Sequence, residues 1–155
     1  MLFSAGCVWH NRFDPARRAD QKTAFAEFQE LNDGIAAGHS APVEFVFRTV
    51  SLKDSSFQTL DRIADVLKEH PDLKLIVEAH TCEVGGDDLN DRLSRERGAV
   101  VRTYLISKGV KPEHVKFYGY GKRRPVTADT PGKDRNRDGR IEFMLTDSFW
   151  TVLER

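Results

Sequence analysis

The sequence predicts an α/β fold of the α+β kind: a two-layer mixed sheet of about four strands with helices packed on it, in the order β-α-β-α-β-β, behind an extra N-terminal helix. Three observations carry this expectation. Segments whose apolar residues recur at helical spacing alternate along the chain with short segments of strand character. The stretch Leu73 to Ala79 has little polar content, as expected of a strand in the middle of a sheet. The length, 155 residues, suits one domain with short appendages, because domains commonly run to about 100–150 residues. The expected boundaries are an N-terminal segment over 1–41, the domain proper over 42–146 and a C-terminal extension over 147–155.

Each element has its own signal. Asp14 and Pro15 open a stretch in which Phe25, Phe28, Leu31 and Ile35 recur at helical spacing, and Gly38 closes it. Pro42 precedes Val43 to Phe47, where Val43, Phe45 and Phe47 alternate with Glu44 and Val46 as the first strand. Ser51 and Asp54 resemble a capping box for a helix whose face is Phe57, Leu60, Ile63, Ala64 and Leu67, stopped by His70-Pro71. The central strand ends at His80. A polar run from Gly85 to Asp88 leads into a long helix from about Leu89 to Lys108, closed by Gly109. Val115 to Phe117 is the third strand. Gly119, Gly121, Pro125, Pro131 and Gly132 mark an irregular excursion before Arg140 to Thr146, the last strand. The tail from Phe149 to Leu153 is apolar enough to pack back on the domain.

Composition excludes several function classes. Lys plus Arg equals Asp plus Glu at 24 each, so no global field draws the chain to nucleic acid. Two cysteines, Cys7 and Cys82, are too few for a disulfide framework and lack the pairing of a zinc or redox motif. No apolar run approaches the roughly 20 residues that span a bilayer. Ala5-Gly6-Cys7 resembles the end of a bacterial lipoprotein signal, although Ser4 stands where Leu is usual and the basic start is missing. Two readings stand: Cys7 is a lipid anchor to the outer membrane, or the tripeptide is chance.

The informative feature is an arginine on an apolar row. Leu89, Leu93, Val100, Val101, Tyr104 and Leu105 define the buried face of the long helix, and Arg97 falls four residues from both Leu93 and Val101. Asn90 lies two turns earlier on nearly the same stripe. A shielded guanidinium costs several kcal/mol, roughly, unless it is paired or reaches water. Arg97 therefore either snorkels or pairs with a structural carboxylate such as Glu78, or it grips a ligand carboxylate.

His80-Thr81-Cys82-Glu83-Val84-Gly85, followed by Asn90-Asp91-Arg92-Leu93-Ser94-Arg95-Glu96-Arg97-Gly98, closely resembles the signature of the OmpA-like peptidoglycan-binding domain, shared by OmpA C-terminal domains, Pal and MotB. In that family the pattern is close to G-H-T-D-x-x-G, a gap, then N-x-x-L-S-x-x-R-A. Phe45-Val46-Phe47, Leu60 to Ala64 and Gly119-Tyr120-Gly121 with Pro125 extend the likeness over roughly 42 to 146. The resemblance implies a non-catalytic domain that binds the peptidoglycan stem peptide through diaminopimelate, in the periplasm or at the outer membrane of a Gram-negative bacterium. It places Arg97 on the ligand carboxylate and Asn90 and Thr81 in the pocket.

The departures are local. The family aspartate that takes the ligand ammonium falls at Cys82, and a neutral thiol does not replace that charge. Glu83 next door is expected to substitute. Weakened binding or a different stem peptide is the alternative. Ala79 and Gly98 are small exchanges for the family glycine and alanine. At the final strand Arg140 is retained and expected near the pocket, while a family arginine is lost to Gly139.

Other motifs compete weakly. Asp134 to Ile141 fits the first eight positions of a calcium loop, with Leu145 where the bidentate glutamate belongs. His80 and Cys82 lack further ligands at metal spacing, so neither a metal nor a cofactor is expected. No oriented base or oxyanion hole makes Cys82 a nucleophile. The rival from another class is an adaptor that keeps the fold without the ligand and docks its N-terminal helix on an envelope complex.

Overall fold

The computed structural model describes residues 15–82, 84–125 and 139–146. Its elements are α1 (Pro15–Ala36), α2 (Ser55–Glu69), β1 (Lys74–His80), α3 (Asp87–Ser107), a 3-10 turn (Pro112–His114), β2 (Val115–Gly121) and β3 (Ile141–Thr146). The fold is of the expected α+β class. Among the described residues the sheet has three strands in the order β2-β1-β3, β1 running parallel to β2 and antiparallel to β3. The apolar strand β1 is central, and α3 makes the crossover that a parallel pair requires.

The expected first strand does not join this sheet. Val43 to Phe47 folds into a hairpin of its own, with a single bridge between Phe45 and Leu52 and a reversal at Arg48, whose φ is +59°. Val46 N donates to Ser51 O at 2.8 Å and Lys53 N to Glu44 O at 2.9 Å. The segment satisfies its backbone locally, and Phe47 ends 69% exposed while Val43 is buried. The capping box also fails: α2 starts after Asp54, which makes no side-chain cap bond. Ser56 instead ties the hairpin to α2, its Oγ accepting from Glu44 N at 2.9 Å and donating to Glu44 O at 3.0 Å.

One core joins all the layers. Leu60, Ile63 and Leu67 of α2, Leu75 and Val77 of β1, and Val101 and Leu105 of α3 are buried together, each leucine contributing roughly 1.5–3 kcal/mol. Ala24, Phe28 and Leu31 of α1 belong to the same cluster, with Ile35 packed against it. The inner stripe of α1 therefore runs through Ala24 rather than Phe25, which is 39% exposed. Ala24, Phe28, Leu31 and Ile35 follow the four-three-four spacing of one helix face. Of the face expected to dock on a partner, Phe28, Leu31 and Ile35 are taken up by this domain's own core. No helix among the described residues is long and apolar enough to cross a membrane.

The inner face of α3 also differs from expectation in its first half. Asn90, Ser94, Arg97 and Gly98 are buried there, while Leu89 is 41% exposed. Glycines on the facing strand are the cause. A Cβ on Gly119 would lie 2.5 Å from Arg95 N and 2.6 Å from Ser94 Oγ, so β2 approaches α3 at backbone distance. Gly121, at φ +54°, donates its N–H to Ser94 Oγ at 2.9 Å. Only small or locally bonded side chains fit that seam, and the leucines are rotated off it.

Candidate ligand-binding site

The rotated leucines form the wall of a cavity of about 390 Å3. Three segments enclose it: Glu44, Phe45, Phe47, Arg48 and Lys53 of the hairpin; Thr81, Cys82 and Val84 after β1; and Leu89, Asn90, Leu93 and Arg97 of α3, with Gly139 at the rim. The α3 N-terminus is held in place by Arg123, which pairs with Asp91 at 2.6 Å, and by Lys122, 3.0 Å from Asp87.

Arg97 is 8% exposed. Its Nε donates to Thr49 O at 3.0 Å and its guanidinium lies over the Phe45 ring, 4.8 Å from the centroid. Among the described residues it has no carboxylate partner. Glu78, the structural alternative, instead accepts from Tyr120 Oη at 3.0 Å and lies 3.6 Å from Arg124. Burial lowers the pKa of Arg97, with Cys82 acting in the opposite direction. A guanidinium nevertheless stays charged, so the cavity contains a buried cation without a counterion among the described residues.

The other expected residues divide. Thr81 lines the cavity, and its buried Oγ1 has no hydrogen-bond partner among the described residues. Cys82 is a half-buried free thiol on the same wall. Asn90 spends both amide hydrogens on Val84 O at 3.2 Å and Gly86 O at 3.1 Å, so it fixes the loop and has only its Oδ1 left to offer. Arg140 does not line the cavity. It donates to Glu142 Oε1 at 2.6 Å and to Arg124 O at 3.2 Å, on the sheet face opposite to Leu75 and Val77. Glu83, Cys7 and the Asp134 to Asp138 loop lie outside the described residues.

Sequence reasoning missed the hairpin's share of the site. Phe45 and Phe47 were expected as strand residues, and Arg48 carried no local signal. Lys53 on this wall is paired with Glu44 at 2.8 Å, so two further basic groups, one already matched, surround Arg97. Polar burial recurs at His80, 1% exposed and stacked on Tyr120 at 5.4 Å. Burial, and then Arg140, push its pKa down to about 4, while Glu142 raises it.

Residues 44–139 match the family model described as the OmpA family. A probable lipoprotein of Escherichia coli, YiaD, is 32% identical over 74% of this chain and 52% of its own length. The peptidoglycan-binding protein ArfA of Mycobacterium tuberculosis is 28% identical over 75% of this chain and 36% of its own. Among solved structures, the peptidoglycan-associated lipoprotein from Burkholderia pseudomallei superposes with a TM-score of 0.65 at 26% identity, over 75% of this chain and 98% of that one. The chain spans about a third to a half of the length of these curated relatives.

Proposed function

The chain belongs to the OmpA family, and we propose that it binds peptidoglycan without cutting it, holding the stem peptide in the cavity between the hairpin and α3. The observation that carries this reading is Arg97, a buried guanidinium at the cavity with no carboxylate partner among the described residues. A ligand carboxylate supplies the missing charge, and an unpaired buried cation is costly by several kcal/mol, roughly. Thr81 Oγ1 adds a hydroxyl, and Asn90 Oδ1 adds an acceptor for an ammonium or amide N–H. Leu89, Leu93 and Phe45 give apolar walls that suit the methylene chain of diaminopimelate. Its amino-acid end carries both a carboxylate and an ammonium, and Glu83 is the residue proposed to take the latter.

The relatives named for peptidoglycan support this reading. The lipoproteins of Escherichia coli and Burkholderia pseudomallei support a place in the cell envelope, which we take to be the periplasm or the outer membrane of a Gram-negative bacterium, and Cys7 is the residue proposed as the lipid anchor. One observation favours the rival adaptor role, namely that Cys82 puts a thiol on the cavity wall where an anion would complete the site. Sedimentation with purified peptidoglycan separates the two. Wild type is expected in the pellet, with Arg97→Ala and Glu83→Ala in the supernatant. Wild type left in the supernatant overturns the anchor reading, and retention of Arg97→Ala overturns the site.

A further inference from the structure

Outside the cavity, one side-chain cluster has the geometry of a metal site. His70 follows the last residue of α2 and is folded between α2 and α1, its side chain 9% exposed. Its Nδ1 lies 2.9 Å from Asp20 Oδ1. A carboxylate offers only acceptors, so Nδ1 donates to Asp20, and in the neutral ring Nε2 keeps its lone pair. That nitrogen meets no donor among the described residues. Glu27 Oε2 lies 3.9 Å away, and Glu69 brings a second carboxylate, the three candidate ligand atoms all within 4.8 Å of one another. Asp20 and Glu27 are seven residues apart on α1, two helical turns, so both reach the same imidazole.

With the ring neutral, two carboxylates and an imidazole lone pair face one another, and a cation bound between them relieves that repulsion. Asp20 behind the imidazole is the outer partner that metal-bound histidines have, fixing both tautomer and ring orientation. Zinc binds imidazole nitrogen and carboxylate oxygen at about 2.0–2.2 Å, which sets tetrahedral ligand atoms about 3.3–3.6 Å apart. Both glutamates are exposed, so their carboxylates are free to swing on the order of 1 Å to reach that spacing. Apart from His70 itself, Glu27 and Glu69 have no basic partner among the described residues. In the other histidine–carboxylate group, Glu78, His80 and Glu142, the carboxylates already face Arg124 and Arg140.

We propose that Glu27, Glu69 and His70 bind a zinc-class divalent cation, with water in the fourth position, and that the bound ion ties α1 to the end of α2. The test uses the full chain with Cys7→Ser and Cys82→Ser, so that thiols do not compete, titrated with zinc chloride by calorimetry and thermal melting. One equivalent with micromolar affinity is expected, with a rise in Tm because the ion binds only the folded form. Glu27→Gln with Glu69→Gln should keep the zinc-free Tm, lose the zinc-induced rise and weaken binding by about 100-fold or more. Asp20→Asn should weaken it by about 10–100-fold, the usual effect of removing an outer partner. His80→Gln should leave binding unchanged. Absence of binding by the parent chain, or binding unaltered in the double glutamine variant, overturns the proposal.

Discussion

Arg97 donates from Nε to the carbonyl oxygen of Thr49 at 3.0 Å, joining α3 to the hairpin across the floor of the cavity. The bond uses the one guanidinium nitrogen that does not belong to the terminal fork, and Phe45 fixes the plane from below at 4.8 Å. The fork is left for a carboxylate. Lysine at this position keeps the charge but loses both the Nε bond and the paired donors. Arg97→Lys is therefore expected to retain the fold and to weaken binding of a soluble muropeptide by about tenfold or more, on the order of one charge-assisted hydrogen bond. Calorimetry checks this, and equal affinity for the two proteins contradicts bidentate recognition.

Cys82 shares the cavity wall with Arg97 and is close enough to influence it. Cys82→Asp adds a carboxylate to a wall whose one described carboxylate, Glu44, is already paired with Lys53. If the ligand presents an ammonium beside its carboxylate, the variant should bind about tenfold more tightly, the scale of one charge-assisted contact. The gain should be absent for a muropeptide whose diaminopimelate amine is acetylated. Titration of both ligands into both proteins reads the difference, and a gain of equal size for the two sinks the idea.

The seam between α3 and β2 gives a stability prediction with a built-in control. A methyl on Gly119 meets the Arg95 backbone nitrogen at 2.5 Å, which cannot yield without moving the helix. A methyl on Gly98 meets side-chain atoms only, Phe117 Cδ2 at 2.9 Å and Cβ at 3.1 Å, with no backbone atom among its nearest neighbours. Gly119→Ala is expected to cost about 1–3 kcal/mol, the usual range for overpacking. Gly98→Ala should cost clearly less, because the clash is with a side chain and alanine in a helix regains up to about 1 kcal/mol over glycine. Urea denaturation of the two variants checks the contrast, which fails if their midpoints move equally.

Much of this architecture is written in local patterns. The faces of α2 and the apolar run of β1 announce themselves because periodicity and burial coincide there. Gly109, at φ +95°, closes α3 where a glycine was expected to do so. The first strand was misleading because Val43, Phe45 and Phe47 alternate correctly, yet their partner was decided by a reversal at Arg48, a residue type that rarely marks positive φ. On α3 the leucines suggested the wrong inner face, since the contact was set by glycines on a strand twenty or more residues downstream. Arg97 was legible because its charge contradicts its row. Phe47, Arg48 and Lys53 were not, because they reach the site only through that hairpin. Arg140 was misplaced by its motif: it stands just before β3, its carbonyl accepting from His80 N at 2.9 Å, and its side chain turns to Glu142 rather than to the cavity.

His80 supplies a pH dependence whose sign follows from its burial. Its pKa falls from 6.5 to about 4 in the folded protein, chiefly through desolvation, then through Arg140, with Glu142 opposing. The folded state therefore holds the imidazole neutral: among the described residues its ring nitrogens have no hydrogen-bond partner, and Glu142, 3.7 Å from Nε2, offsets the cost of burial only in part. Above pH 6.5 both folded and unfolded chains carry a neutral ring, and the histidine contributes nothing to the pH dependence. As pH falls below 6.5 the unfolded chain takes up the proton first, so stability is lost progressively down to about pH 4, by up to about 3 kcal/mol. His80→Gln removes the titrating group, and its stability should fall less steeply over that window. Denaturation curves for both proteins between pH 7 and pH 4 give the comparison. Parallel slopes would mean that the ring is already protonated in the folded state, or that it opens to solvent before it titrates.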